Sequence, residues 1–361
     1  MDKPRARFKV IPEDFVVDEI PAYLPEGQGD HLYLHIKKRG LTTNDAVARI
    51  ADTCGVPRRD VGVAGLKDKV AVTTQWLSIP ALSGTKVEEK ARAIEPDGTL
   101  EVLSLARHKN KLRTGHLDGN RFTIRLRGLS EAELPAISRA FFSLGESGVP
   151  NAFGAQRFGK YGDNVERALA FLSGKERGPR DFRAKKFLFS SLQSHVFNAV
   201  LAEREAQGTW NRPLLGDLLK LETGGMFVCT DVATDTDRAV RGELGPTGPM
   251  FGVKMRSPEA DALAFEAAIV ARELGPSFDL AATQKLGEGT RRPLVLRPKD
   301  VACRVEATPG EQGPDLLVEF VLPKGAYATT VLARVVDAHE GSSEPAHDSA
   351  DGSQDGDPID P

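Results

Sequence analysis

Cysteine is scarce in this chain. There are three, Cys54, Cys229 and Cys303, far apart and odd in number. No Cys-x-x-Cys occurs, and no Cys/His spacing fits zinc, so neither a disulfide framework nor a structural metal site is expected. Reduced thiols in a cytoplasmic protein fit best. Long apolar runs are also missing, and none approaches a membrane span. Residues 1–9 are charged, contain Pro4 and lead into no apolar signal core. Aromatic residues make up 6% of the chain, with 17 Phe against 4 Tyr and 2 Trp, so a flat stacking surface here is most often a phenylalanine. There is no phosphate-binding P-loop and no internal repeat.

What is present is a mixed charge pattern in a chain long enough for two or three domains. The formal net charge is −3, but seven acids and no Lys or Arg lie from Glu340 onward, so residues 1–339 carry +4. Such an excess permits nucleic-acid binding without demonstrating it. Residues 340–361 are Gly, Ser, Pro and acid and read as a disordered acidic tail. Nothing suggests an obligate interface, so a monomer is expected.

The coarse elements alternate in type. His31 to Lys38 alternates, with Leu32, Leu34 and Ile36 on one face and His31, Tyr33, His35 and Lys37 on the other, as in a half-buried strand. Thr43, Asn44 and Asp45 form an N-cap cluster before Ala46, Val47, Ile50, Ala51 and Cys54 at helical spacing, and Gly55 stops that helix. Val61, Val63, Val70 and Val72 then flank a tight turn carrying Asp68 between Lys67 and Lys69. Further helices are expected over about 131–145, 187–205 and 260–274, with a last helix reaching about 336. Short strands and turns are expected over 209–255, and a strand over 316–323. The fold class is α+β. Polar, Pro- and Gly-containing stretches at 175–183 and near 293–298 read as domain junctions.

Three features carry candidate chemistry. Asp68 at a rigid turn is a possible nucleophile or base, although Asp and Lys are ordinary turn residues too. The stretch 107–127 is basic, with Arg107, Lys109, Lys111, Arg113, Arg121 and Arg125, and its end alternates as a strand with arginines on one face. That face can track a phosphate backbone or simply be solvated. The loop 149–159 is punctuated by glycine and contains Asn151, Phe153, Gln156 and Arg157. Phe153 offers a stacking surface and Asn151 both a donor and an acceptor, or the loop is a structural turn with core phenylalanines.

Four separated segments together resemble the TruD family of tRNA pseudouridine synthases. They are Phe8-Lys9-Val10-Ile11-Pro12-Glu13-Asp14-Phe15 with Val16-Val17-Asp18-Glu19, then Ala64-Gly65-Leu66-Lys67-Asp68-Lys69 with Gln75-Trp76, then Arg107 to Phe122, and Pro150-Asn151-Ala152-Phe153-Gly154 through Gly159. The match runs over roughly residues 8–336 in the family's order. The resemblance implies a catalytic domain with a mixed, largely antiparallel sheet, formed by residues 1–178 and 297–339. A family-specific insertion domain would occupy 179–296. It implies a tRNA partner, uridine-13 of the D arm as target, no cofactor, no metal and no membrane. Asp68 corresponds to the family's catalytic aspartate and Lys9 to a basic residue beside it. Phe15, Phe153 and Tyr327 would wall a pocket for the target base, with Asn151 on its edge. Two departures are Ala152, where relatives often have an aromatic, and Tyr327, where they often have Phe.

Pseudouridine formation breaks the N1–C1′ bond of a uridine, turns the base and joins C5 to C1′. The carboxylate attacks C1′ or takes the C2′ proton, and the sequence leaves both routes open. Either uses the ionised carboxylate, which a nearby cation favours. Two other classes remain at this stage. One is a catalytically silent RNA-binding protein, which has no need of the Asp68 motif. The other is a carboxylate hydrolase, which usually needs a carboxylate pair.

Overall fold

The computed structural model of the protein describes residues 3–159, 161–276, 278–307 and 313–341. The chain falls into two compact units. The first contains the residues through Phe142, Pro298–Ala328 and those from Val335; the second contains Ser143–Arg297 and Thr329–Arg334.

The N-terminal run builds most of the first unit. Its strands are β1 (Arg5–Phe8), β2 (Phe15–Pro21), β3 (His31–Arg39), β4 (Gly62–Val63), β5 (Val72–Pro80), β6 (Leu100–His108) and β7 (Leu117–Leu126). Its helices are α1 (Thr43–Cys54), α2 (Val87–Arg92) and the start of α3 (Leu134–Ser147). The capping box that sets α1 begins one residue earlier than the expected cluster: Thr42 Oγ1 accepts from the Asp45 amide at 3.1 Å, and the Thr42 amide donates to Asp45 Oδ2 at 3.0 Å. Gly55 at φ 72° ends the helix in the left-handed conformation.

The second unit holds β8 (Val149–Pro150), α4 (Asn164–Leu172), α5 (Phe182–Ala206), β9 (Leu218–Leu221), β10 (Met226–Val228), α6 (Val232–Val240), β11 (Leu244–Met250), α7 (Ala260–Leu274), β12 (Thr290–Pro293) and β13 (Val295–Leu296). Its four-stranded sheet has the order β10-β9-β11-β12. Leu188, Phe189, Leu192 and Val196 of α5 form a core with Ala168 and Phe251. Helix α6 was not expected from the Gly- and Pro-rich composition around it. Asp231 starts it by accepting from the Thr234 amide at 3.1 Å, a local signal in a short segment.

The chain then returns to the first unit through β14 (Lys299–Ala307) and β15 (Pro314–Pro323); most of α8 (Ala328–Val335) belongs to the second unit, and β16 (Asp337–Glu340) again to the first. The main sheet has the order β14-β15-β7-β2-β5-β3-β6, with β4 also on β5. All its pairs are antiparallel except β2 with β5. The protein is therefore α+β with a mixed, largely antiparallel sheet, as expected.

One face of β3 carries Leu32, Leu34 and Ile36 into a core with α1. The opposite face is less open than alternation implies. Tyr33 is buried with Ala64, Leu112 and Leu117, and His35 stacks on Trp76 with ring centroids 4.7 Å apart. Glu340, read as the first residue of the tail, is a strand residue paired with Phe8. The rest of the expected tail, 342–361, lies outside the described residues.

Candidate functional site

Topology explains why residues 59 positions apart meet. Because β2 and β5 are parallel neighbours, with Val16 opposite Val72, the segments leading into them emerge at one end of the sheet. Strand β3 runs antiparallel to β5, so its last residues, Lys38 opposite Thr73, reach the same end. That end holds the loop 64–71, which is longer than the tight turn expected.

Backbone contacts pin this loop on several sides. The Gly115 amide donates to the Ala64 carbonyl at 2.8 Å, and the Lys67 amide donates to Thr43 Oγ1 at 2.9 Å. Thr43 in turn donates to Gln75 Oε1 at 3.0 Å. Lys67 turns away from Asp68 and pairs with the buried Glu19 at 2.7 Å. Lys38 is 1% exposed and donates to the carbonyls of Leu41 at 2.6 Å and Asp68 at 2.8 Å, with Lys67 at 3.4 Å. Burial pushes its ammonium down to about 8, against a partial opposing pull from Asp68.

With the backbone held, the Asp68 side chain stands out at 56% exposure and meets Lys9 Nζ at 3.1 Å. Lys9 is 11% exposed and sits 4.5 Å from the centre of the Phe15 ring, a cation–π contact. Its φ of 53° is left-handed, a conformation that costs roughly 1–3 kcal/mol for a non-glycine residue and concentrates at functional sites. Glu340 shares the ammonium, also at 3.1 Å. Asp14 fixes the approach of this segment. Fully buried, it accepts from the Val10 and Ile11 amides and from the Arg127 guanidinium at 2.6 and 2.9 Å.

The structure thus brings Lys9, Asp68 and Phe15 together. Phe15 is buried, edge-on to Phe122, and supports Lys9. Tyr327 is half-buried just before α8. In the second unit Asn151 and Phe153 are both buried. The Asn151 amide donates to the Pro293 carbonyl at 2.9 Å and accepts from Arg292 at 2.7 Å. Arg292 also lies 4.0 Å from the Phe153 ring centre, and Phe197 packs edge-on against that ring. The backbone of Phe153 is clamped by Asn198 on both its amide and its carbonyl.

The basic residues differ in what holds them. Arg107 binds Glu88 and the carbonyls of Gly29 and Ala81, Lys109 pairs with Glu26, and Lys111 donates to the Arg59 carbonyl. Arg121 pairs with Asp300, and Arg125 with Glu306 and the buried Asp315. Arg113 is exposed on the loop between β6 and β7. Among the described residues no group of three or more His, Cys, Asp or Glu is placed to hold a metal ion, and no helix is long and apolar enough to cross a membrane.

Lys38, Glu340 and Arg292 were not singled out in the sequence. Lys38 had a signal: it shares parity with Leu32, Leu34 and Ile36 and so falls on the inward face. Glu340 was masked by the tail's composition, and Arg292 had none.

The fold is shared with a solved structure. A solved TruD structure from Methanosarcina mazei superposes with a TM-score of 0.72 over 92% of this chain and 94% of its own, at 22% identity. The family model described as tRNA pseudouridine synthase D (TruD) matches residues 3–173 and 181–335. The tRNA pseudouridine synthase D of an Anaeromyxobacter species is 46% identical over 333 residues, 91% of each chain. That of a Thermus thermophilus strain is 42% identical over 354 residues, 95% of this chain and 93% of its own. The chain belongs to the tRNA pseudouridine synthase D family.

Proposed function

We propose that the protein is a tRNA pseudouridine synthase that isomerises uridine 13 of the D arm, with Asp68 as the catalytic carboxylate. The observation that carries this reading is the Lys9–Asp68 ion pair on an immobilised loop, in a chain of this family. The backbone at Ala64, Lys67 and Asp68 is tied down while the Asp68 side chain stays exposed, which is what a carboxylate aimed at one atom of a large substrate requires.

The chemistry balances without a co-reactant. The N1–C1′ bond breaks, by attack of Asp68 on C1′ or by removal of the C2′ proton. The base turns and C5 bonds to C1′; this breaks the C1′–Asp68 bond in the first route, and in the second Asp68 returns the proton to C2′, while the proton lost from C5 is matched by one gained at N1. Lys9 supplies positive charge beside the carboxylate while it is anionic, and it must release Asp68 as C1′ approaches. The target base has to leave its stack, which stacking in the enzyme offsets. Within the first unit we assign Phe15 and Tyr327 to the binding of that base; within the second, Phe153 is assigned to the RNA-binding loop that it anchors beneath Arg292. Phe15 acts partly through Lys9, and Asn151 through the loop it fixes. The insertion at 179–296, monomeric state and cytoplasmic location are part of the same proposal.

The test is chemical mapping of pseudouridine in unmodified tRNA after incubation with the wild type and with Asp68→Asn. A mark at one D-arm uridine with the wild type alone is the expected result. An equal mark from the variant overturns the role of Asp68. No mark from either, on tRNA that binds, overturns the reaction.

A further inference from the structure

The first unit contains a cavity of about 430 Å³ away from the sheet end that presents Asp68, lined by Tyr23, Leu24, Glu26, His108, Asn110, Lys111, Arg113 and His116. Its shape comes from the loop between β6 and β7 folding back over the sheet. The Leu112 amide donates to Ser78 Oγ at 2.9 Å, and the Gly115 amide holds the Ala64 carbonyl. Tyr23 forms its aromatic wall. The ring stacks on His108 with centroids 5.2 Å apart, meets His116 edge-on, and its hydroxyl is 2.7 Å from His116 Nδ1. Leu24 is 70% exposed beside it, an unusual position for a leucine in a polar loop. His108 is itself buried, with Nδ1 lacking any hydrogen-bond partner among the described residues.

We propose that this cavity binds one unpaired nucleotide of the substrate RNA other than the target uridine. This rests on the tRNA-modifying reading above. The flat rings of Tyr23 and His116, with Leu24, suit the face of a base. Asn110 suits its edge, because its side chain offers an amide, and Glu26, which also pairs with Lys109, has a second oxygen to accept from an exocyclic amine. Arg113 suits the attached phosphate, and Lys111, which also donates to the Arg59 carbonyl, adds positive charge beside it. A bare anion would not use the apolar wall, and an apolar ligand would not use the cations. The cavity is tethered to the reactive loop through Ala64, which lies at most about 14 Å along the chain from Asp68. A base seated there therefore fixes the RNA relative to the carboxylate, and recognition extends beyond the flipped uridine.

Two measurements on the full chain test this. In the first, tRNA transcripts carry 2-aminopurine at one unpaired position at a time, and fluorescence is followed on binding. One position is expected to change strongly with the wild type and not with Tyr23→Ala, whose melting temperature is checked alongside. This arm needs no turnover, so it holds even if the reaction assignment fails. In the second, an abasic nucleotide replaces that position and kcat/KM is compared. The wild type is expected to lose about tenfold, and Tyr23→Ala to lose nothing further from the abasic change, because the two alterations remove one contact. Equal fluorescence changes in both proteins at every position, or independent losses in the second assay, overturn the proposal. Absence of product from the intact transcript would overturn the tRNA-modifying reading, and the fluorescence arm would still decide the cavity.

Discussion

Asp68, Lys9 and Lys38 show what a residue's neighbours decide. The acid is left exposed while its backbone carbonyl is tied to a lysine that water hardly reaches. Lys38 carries a measurable consequence. Its ammonium titrates near 8 in the folded protein, because burial disfavours the charge, and near its ordinary 10.5 when unfolded. Below 8 both states hold the proton and there is no slope. Between 8 and 10.5 the unfolded chain holds a proton that the folded one has lost, so stability rises with pH by up to about 1.4 kcal/mol per unit. The variant Lys38→Met lacks this contribution. Urea unfolding of both proteins across that window is expected to show the wild type gaining on the variant as pH rises. A constant difference would show that Lys38 is not the group. Strand parity already pointed to this lysine. By contrast, the pairing of Lys9 with Asp68 rests on two strands being parallel neighbours, which no local pattern encodes, and only the family motifs suggested it.

Elements were legible where their ends were chemical. Helix α1 has a capping box and a left-handed glycine, so both limits could be anticipated within a residue. Thr42→Ala is expected to cost about 1 kcal/mol in urea unfolding, because the Asp45 amide loses its acceptor. The hairpin carrying Asp68 was legible in type but not in length, since the loop conformation is set by partners from α1, β3 and the 109–116 loop. Two glycines show how close neighbouring backbones come. A Cβ on Gly62 would overlap the Leu112 carbonyl, and one on Gly119 would overlap the Leu322 carbonyl. Both obstacles are backbone and cannot swing away. Gly62→Ala and Gly119→Ala are each expected to lower stability by about 1–3 kcal/mol in the same assay. Gly62→Ala should also reduce activity, because it displaces the chain just before Ala64. Full activity in a stable Gly62→Ala protein would show that the loop does not depend on that packing. Phe153, which the sequence left open as either a stacking surface or a core ring, is buried beneath Arg292.

At the scale of the whole molecule the question is which cations meet RNA and which hold the protein. Composition could not separate them, since residues 107–127 read as one basic stretch. In the structure Arg113 and Arg125 differ in their surroundings, and the RNA-binding proposal makes that difference testable. Arg125 faces Glu306 and the buried Asp315, while Arg113 lies exposed beside the Tyr23 cavity. Affinity for tRNA should fall steeply with salt, as phosphate contacts release counterions. Replacing Arg113 by Gln is expected to lower the slope of log affinity against log salt by about one and to leave the melting temperature unchanged. Replacing Arg125 by Gln is expected to do the reverse. It removes one of the cations at Asp315 and leaves Arg127 at 3.7 Å, which destabilises by up to a few kcal/mol, and it leaves the salt slope intact at temperatures where the variant is folded. If both variants lowered the slope equally without loss of stability, the arginines of β7 would be RNA contacts after all. Their ion pairs would then have to open when tRNA arrives.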